Sequence, residues 1–235
     1  MKTSFPNMQQ GAGRHAEASS LKIVRDLKNY LTFLKATGSH FVCVPDRPVP
    51  ALKQERLEQL RAQAERCTKC RLAKTRTRVV FGEGDADAGM VFVGEAPGEN
   101  EDLQGRPFVG AAGNLLTQLI EQMGLRRHDV FICNVIKCRP PNNRDPQPDE
   151  ITACEDYLVQ QLDILKPRVI CTLGRYAAQT LLRTSAPISR LRGNRYLYQH
   201  IPVIPTYHPA NLLYQPGNRQ TVLNDLKKAM AEYRK

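Results

Sequence analysis

No apolar run in the 235-residue chain approaches the roughly 18 residues that a helix needs to cross a bilayer. A membrane-spanning function is therefore not expected. The first twenty residues, MKTSFPNMQQGAGRHAEASS, lack the apolar core of a secretory signal, so the expected location is cytoplasmic and disulfides are not anticipated. Internal repeats and low-complexity tracts are missing too. Acids are scarce: 23 Asp and Glu face 34 Lys and Arg, a net charge of +11. A balance that basic points to a polyanionic partner. The excess is clustered, with Arg71, Lys74, Arg76 and Arg78 in one stretch and Arg183, Arg190, Arg192 and Arg195 in another. Neither run is interleaved with the acids that a salt-bridged surface helix carries.

What is present divides the chain in two. Residues 1–50 read as an extension: a polar start, then Leu21, Val24, Leu27, Leu31 and Leu34 at helical spacing behind Ser19 and Ser20, then a Pro-rich linker from Val44 to Pro50. From residue 51 short apolar runs alternate with helical periodicity. Met90–Val93, Val130–Ile136, Val169–Leu173 and Val203–Ile204 read as strands, and about Ala111–Met123, Asp149–Leu165, Arg175–Leu182 and Arg219–Tyr233 read as helices. Continuous apolar strands alternating with helices predict a sheet covered on both faces. The expected fold over residues 51–235 is therefore a three-layer α/β/α domain with a central, mostly parallel four-stranded sheet. Ligands of such sheets bind at the carboxyl ends of the strands. There stand Gly94-Glu95-Ala96-Pro97-Gly98-Glu99, then Asn134, then Thr206-Tyr207-His208-Pro209.

Seven cysteines call for metal, redox chemistry or plain burial. Cys133 and Cys171 lie inside apolar strands and read as buried structural thiols, and Cys43, beside the linker, carries no signal. Cys67 and Cys70 form a Cys-x-x-Cys on a basic segment, while Cys138 and Cys154 flank a proline-rich loop. Four thiolates suit zinc or an iron-sulfur cluster, and spacing alone leaves the choice open. It also leaves open a purely structural Cys154, because Ile151, Cys154, Leu158 and Leu162 make one helical stripe.

Four blocks then resemble a known family. Gly94-Glu95-Ala96-Pro97-Gly98-Glu99-Asn100-Glu101-Asp102, Gly105-Arg106-Pro107-Phe108-Val109-Gly110, Asn134 through Arg144, and His208-Pro209-Ala210 are similar, in order and spacing, to the signatures of family 4 uracil-DNA glycosylases. The likeness covers about residues 60–232 and leaves the extension outside. It implies a repair enzyme that flips uracil from single- or double-stranded DNA and hydrolyses its N-glycosidic bond, leaving an abasic site. It also implies a [4Fe-4S] cluster on Cys67, Cys70, Cys138 and Cys154, with Cys133 not a ligand.

The same resemblance assigns roles. Phe108 would stack on the base, Asn134 would pair with its O4 and N3, Gly94 and Ala96 would line its pocket, and His208 would donate to O2 as negative charge develops there. Arg139, Arg144, Arg190 and Arg192 would meet the DNA, as would the basic run 71–78, while Pro209, Ala210 and Leu212 belong to a loop that pushes into the duplex. The better-known family 1 pattern has an aspartate and a tyrosine where Ala96 and Gly98 stand here. Glu95 or Glu101 is therefore the candidate for positioning water or stabilising sugar charge. The stretch Ile188–Asn194 has no histidine, unlike a related group that bonds covalently to DNA, so ordinary turnover is expected, by a monomer. Two rival readings use the same residues: a non-enzymatic metal-cluster DNA-binding module, and a phosphate-binding α/β hydrolase with Gly94–Gly98 as its anion loop.

Overall fold

A computed structural model describes residues 50–235 together with Lys28, Asn29, Thr32 and Ala36. Those four positions are helical; the apolar stripe Leu21 to Leu34 and the linker from Val44 lie outside the described residues. Helix α1, Pro50–Glu65, turns Leu57, Leu60 and Ala64 to one face, the three- and four-residue spacing of a helix, and packs them toward α4, Pro148–Leu165. No long apolar stripe announced α1, because one buried stripe among Lys, Gln, Glu and Arg is all that it needs.

The parallel core consists of β2 (Met90–Gly94), β3 (Phe131–Asn134), β4 (Val169–Leu173) and β6 (Ile201–Thr206). Strands β2, β3 and β4 are buried along their whole length, as continuous apolar runs require. Successive side chains point to opposite faces. Val91, Val93, Cys133 and Ile170 pack with α1, α4 and α5 (Arg175–Leu182), while Phe92, Ile132, Cys171 and Ile204 pack with α3 (Ala111–Gln122) and α8 (Arg219–Tyr233). The layers are as expected, but the strand count is not. Among the described residues the sheet has six strands in the order β1-β3-β2-β4-β6-β5, because Glu83–Gly84 (β1) and Tyr196–Tyr198 (β5) add short antiparallel edges. An edge strand pairs on one side only and two or three residues suffice, so neither carries the apolar run that marks a central strand.

The order has a chemical consequence. From β2 the chain crosses to β3 on one side, then returns past β2 to β4 on the other. Connections that diverge in this way open a crevice at the carboxyl ends of β2 and β4. Gly94, Asn134 and Thr206 end β2, β3 and β6 at that edge.

Candidate active site

A cavity of about 430 Å³ opens at this edge, with Glu95, Ala96, Phe108, Asn134, His208 and Ala210 in its wall. Gly94 lies beneath it: a Cβ there would collide with Asn134 Oδ1 and, at 2.6 Å, with Phe108 Cζ. Only glycine lets the carboxamide and the ring meet over the end of β2.

Asn134 is 1% exposed, and its Oδ1 has no hydrogen-bond partner. Among the described residues one other buried side-chain polar atom, Thr172 Oγ1, shares that condition, and Thr172 is not in the cavity wall. An unsatisfied buried acceptor costs about 1–3 kcal/mol, so it points to a donor supplied from outside. Lys137 holds the strand end in place: its buried Nζ donates to the Asn134 carbonyl at 2.6 Å and to Gln161 Oε1 at 2.5 Å, and Gln161 donates in turn to the Phe81 carbonyl at 2.8 Å. Sequence reading overlooked this lysine, since a lysine beside a candidate cysteine ligand gives no sign of being buried.

Phe108 has a left-handed backbone, φ 52°, that a bulky residue adopts only under constraint. Two constraints are visible. Gly113, in the first turn of α3, lies so close to the Phe108 carbonyl that a Cβ would overlap it. On the other side Glu101, in α2 (Glu99–Gln104), accepts the N–H groups of Val109 at 2.8 Å and Gly110 at 2.9 Å on one carboxylate oxygen. The Phe108 ring stands 5.5 Å from that of His208, tilted by 31°.

His208 follows β6, and its Nδ1 accepts the Ala210 N–H at 3.2 Å. That bond leaves the proton on Nε2, as a donor. Burial lowers the imidazole pKa to about 4, against a small opposing pull from Glu101, so the ring is neutral near pH 7. Glu95 is shifted the other way. Burial, with Asp145 adding repulsion and Arg175 opposing, raises its pKa to about 7, and among the described residues its carboxylate has no hydrogen-bond partner.

The cations expected to meet DNA divide by what holds them. Arg144 forms two bonds to buried Glu150, at 2.9 and 2.6 Å, yet still reaches the cavity rim. Arg139 bonds Asn143 at 2.8 Å and lies 3.6 Å from Glu99. Arg192 is committed to buried Asp225, which also accepts the Thr206 hydroxyl, and its guanidinium covers the Tyr207 ring. Arg190, in α6 (Ile188–Leu191), is exposed and has no ion-pair partner among the described residues. Within the loop after His208, Pro209 and Leu212 are buried, Ala210 reaches the cavity, and the protruding side chains belong to Leu213 and Tyr214. Leu212 thus packs in the core rather than standing toward a duplex. Tyr214, 84% exposed at the cavity rim, was not picked out, because α7 (Asn211–Tyr214) is one turn long and periodicity cannot orient a single turn.

Cys67 and Cys70 follow the carboxyl end of α1 and pack against the same side of the core that holds Cys138 and Cys154. Arg76 donates to Cys138 Sγ and the Lys137 N–H to Cys154 Sγ, each at 3.3 Å. Burial raises Cys154 to about 11. Among the described residues no three His, Cys, Asp or Glu side chains are drawn together tightly enough for a single metal ion. Cys133 and Cys171 are fully buried in β3 and β4.

An unpaired carboxamide acceptor, an aromatic face and a neutral imidazole donor around one cavity define an α/β protein built to hold a planar heterocycle by its polar edge. Residues 81–231 match the family model described as the uracil DNA glycosylase superfamily. The chain is 51% identical over 181 residues to a type-4 uracil-DNA glycosylase of Sulfurisphaera tokodaii, spanning 73% of this chain and 82% of that protein. Proteins of the same description from Archaeoglobus fulgidus, 50% identical over 74% of this chain and 92% of theirs, and Thermotoga maritima, 46% identical over 78% and 97%, are also similar. The chain belongs to the uracil-DNA glycosylase superfamily, in its type-4 group.

Proposed function

We propose that the protein excises uracil from DNA by hydrolysing the N-glycosidic bond, releasing free uracil and leaving an abasic site. The observation that carries this reading is the buried, unpartnered Asn134 Oδ1 in the cavity wall. The N3–H of uracil is the donor that it lacks, while the amide nitrogen can donate to O4. Cytosine has no proton on N3 and carries an amine in place of O4, so the same amide is mismatched to it. Phe108 stacks on the base, and the His208 Nε2–H meets O2 as negative charge grows there. A neutral imidazole supplies this donor without competing for a proton from solvent. Glu101 orders the Phe108 loop through the Val109 and Gly110 amides. Glu95, unpaired and poised near neutral pH, is the group to orient water or to offset positive charge on the sugar. The substrate is uracil-containing DNA, and the protein works as a cytoplasmic monomer.

Cys67, Cys70, Cys138 and Cys154 are the residues to hold a [4Fe-4S] cluster. The donor set is all thiol, which suits iron-sulfur chemistry, and a multi-iron cluster separates its ligands more widely than one ion does. When bound, the cluster ties the end of α1 to β3 and α4, a structural role.

The test is strand breakage. Incubated with uracil-containing single- or double-stranded oligonucleotides and then alkali, the protein is expected to yield a break at the uracil. Asn134→Ala is expected to lose most of that activity. Stoichiometric binding without any alkali-sensitive site would instead favour the non-enzymatic DNA-binding module.

A further inference from the structure

A second concavity, of about 480 Å³, lies away from the base cavity, between the carboxyl end of α1, residues 76–79 and the turn at Gly105. Its walls carry four guanidiniums, Arg61, Arg76, Arg78 and Arg106, and a single carboxylate, Glu65. Arg106 is neutralised from outside the groove by Glu83, at 2.8 Å. Among the described residues the other three meet no carboxylate. Arg61 donates to the Gly82 carbonyl at 3.0 Å and rests over the Phe81 ring at 5.3 Å. Arg76 donates to the Glu65 main-chain carbonyl at 3.0 Å and to Cys138 Sγ. Arg78 is exposed, and among the described residues its side chain has neither a hydrogen bond nor an ion pair. Elsewhere Arg71, Arg144, Arg183 and Arg192 each meet a carboxylate. A guanidinium has five N–H donors, so a carbonyl and a ring can hold Arg61 while leaving both charge and donors unspent, whereas Arg76 is shared with Cys138 Sγ.

The groove is also fixed relative to the base cavity. Buried Asp102 accepts the Thr77 N–H at 3.0 Å and the Arg78 N–H at 3.4 Å, clamping this segment to α2. On that helix Glu101 faces the base cavity and Gln104 the groove, about one turn or 5 Å apart along the axis.

We propose that this groove seats the sugar-phosphate backbone of the uracil-bearing strand a few nucleotides from the extruded base. The proposal rests on the uracil-excision reading and extends it to a second contact. Guanidiniums on both walls, from α1 and from residues 76–78, that meet no carboxylate among the described residues suit a repeating anion. Of the basic run 71–78 it selects Arg76 and Arg78, with Arg61 added from α1, and sets aside Arg71, which Asp149 engages at 2.6 Å.

The experiment uses single-stranded uracil oligonucleotides whose flank is lengthened on one side at a time, with Kd read by fluorescence anisotropy and excision read separately. The wild-type protein is expected to gain affinity as one of the two flanks lengthens. Arg78→Gln is expected to lose about three- to tenfold on the long strand, and to lower the salt slope of log Kd by roughly 0.7. Arg61→Gln with Arg78→Gln is expected to remove the flank-length gain altogether, while Arg78→Gln alone, whose side chain makes no bond among the described residues, leaves the melting temperature unchanged. Arg234→Gln, which removes one charge at the opposite end of the sheet strands, is expected to retain it. Retention of both the gain and the salt slope in Arg78→Gln overturns the proposal. Absence of excision by the wild type strikes the base-pocket reading instead, since anisotropy still reports on the groove.

Discussion

Two titratable residues at the cavity are shifted in opposite directions, and each shift has a consequence that can be measured. The unfolded chain protonates His208 near pH 6.5, whereas the folded ring resists until about 4. Its folded pKa is the lower one, so stability is whole above pH 6.5 and is lost as pH falls toward 4. Over that range the ring stays a neutral donor, and excision should show no limb from it. Glu95 has the opposite sign. Its folded pKa, about 7, exceeds the unfolded value of 4.5, so the folded state keeps a proton that the unfolded chain releases. Stability attributable to Glu95 is therefore present below pH 4.5 and lost as pH rises through 7. We expect single-turnover excision to rise with pH up to about 7, and Glu95→Gln to be slower, without that limb, yet more stable at pH 8 in thermal melts. A limb that survives in Glu95→Gln excludes it as the ionising group. His208→Ala should lower kcat by about 10²- to 10³-fold, as removal of one donor to a developing oxyanion does elsewhere. An undiminished kcat would mean that the imidazole does not touch O2.

At the scale of elements, the cavity depends on how α2 and the start of α3 hold the Phe108 loop. One Glu101 oxygen receives two main-chain N–H groups. An amide oxygen can accept both and a methyl group neither. Glu101→Ala is accordingly expected to raise KM and lower kcat together, by about 10- to 100-fold in kcat/KM for the loss of bonds to a charged acceptor. Glu101→Gln should recover most of it. Equal losses in the two variants would instead assign the carboxylate charge itself to the reaction. Gly94→Ala probes the same geometry from β2, since its Cβ would take the space of the Asn134 amide and the Phe108 ring. The Gly-Glu-Ala-Pro-Gly block was conspicuous as a motif. That its first glycine serves close packing is visible only with β3 and the Phe108 loop in place.

Across the whole molecule, the four thiols proposed to hold the cluster lie on segments far apart in sequence: the loop after α1, the chain after β3, and α4. Cys70→Ser is expected to lose the proposed cluster, measured as iron and acid-labile sulfide per chain. Opening such a tie should cost about as much as severing a disulfide, about 2–5 kcal/mol. In a domain of this size that is a drop in melting temperature of roughly 5–15 °C. Unchanged iron content in Cys70→Ser would remove that residue from the ligand set. Lys137 links this region to the base cavity, as its N–H bonds Cys154 Sγ and its Nζ bonds the Asn134 carbonyl.

The parallel strands and the four long helices after β2 were legible in the sequence, because central strands of a covered sheet must be apolar throughout and amphipathic helices must repeat every 3.6 residues. The motif residues at the strand ends were legible as well, since their order along the chain follows the order of the β-strand ends that carry them. Other features needed the fold. Edge strands β1 and β5, the burial of Leu212 beside exposed Tyr214, and the pairing of Arg192 with Asp225 against an Arg78 that has no acid partner among the described residues follow from which surfaces meet. Local sequence specifies which residues can be buried or charged, but only packing across distant segments decides which acceptor goes without a donor and which cation goes without an acid.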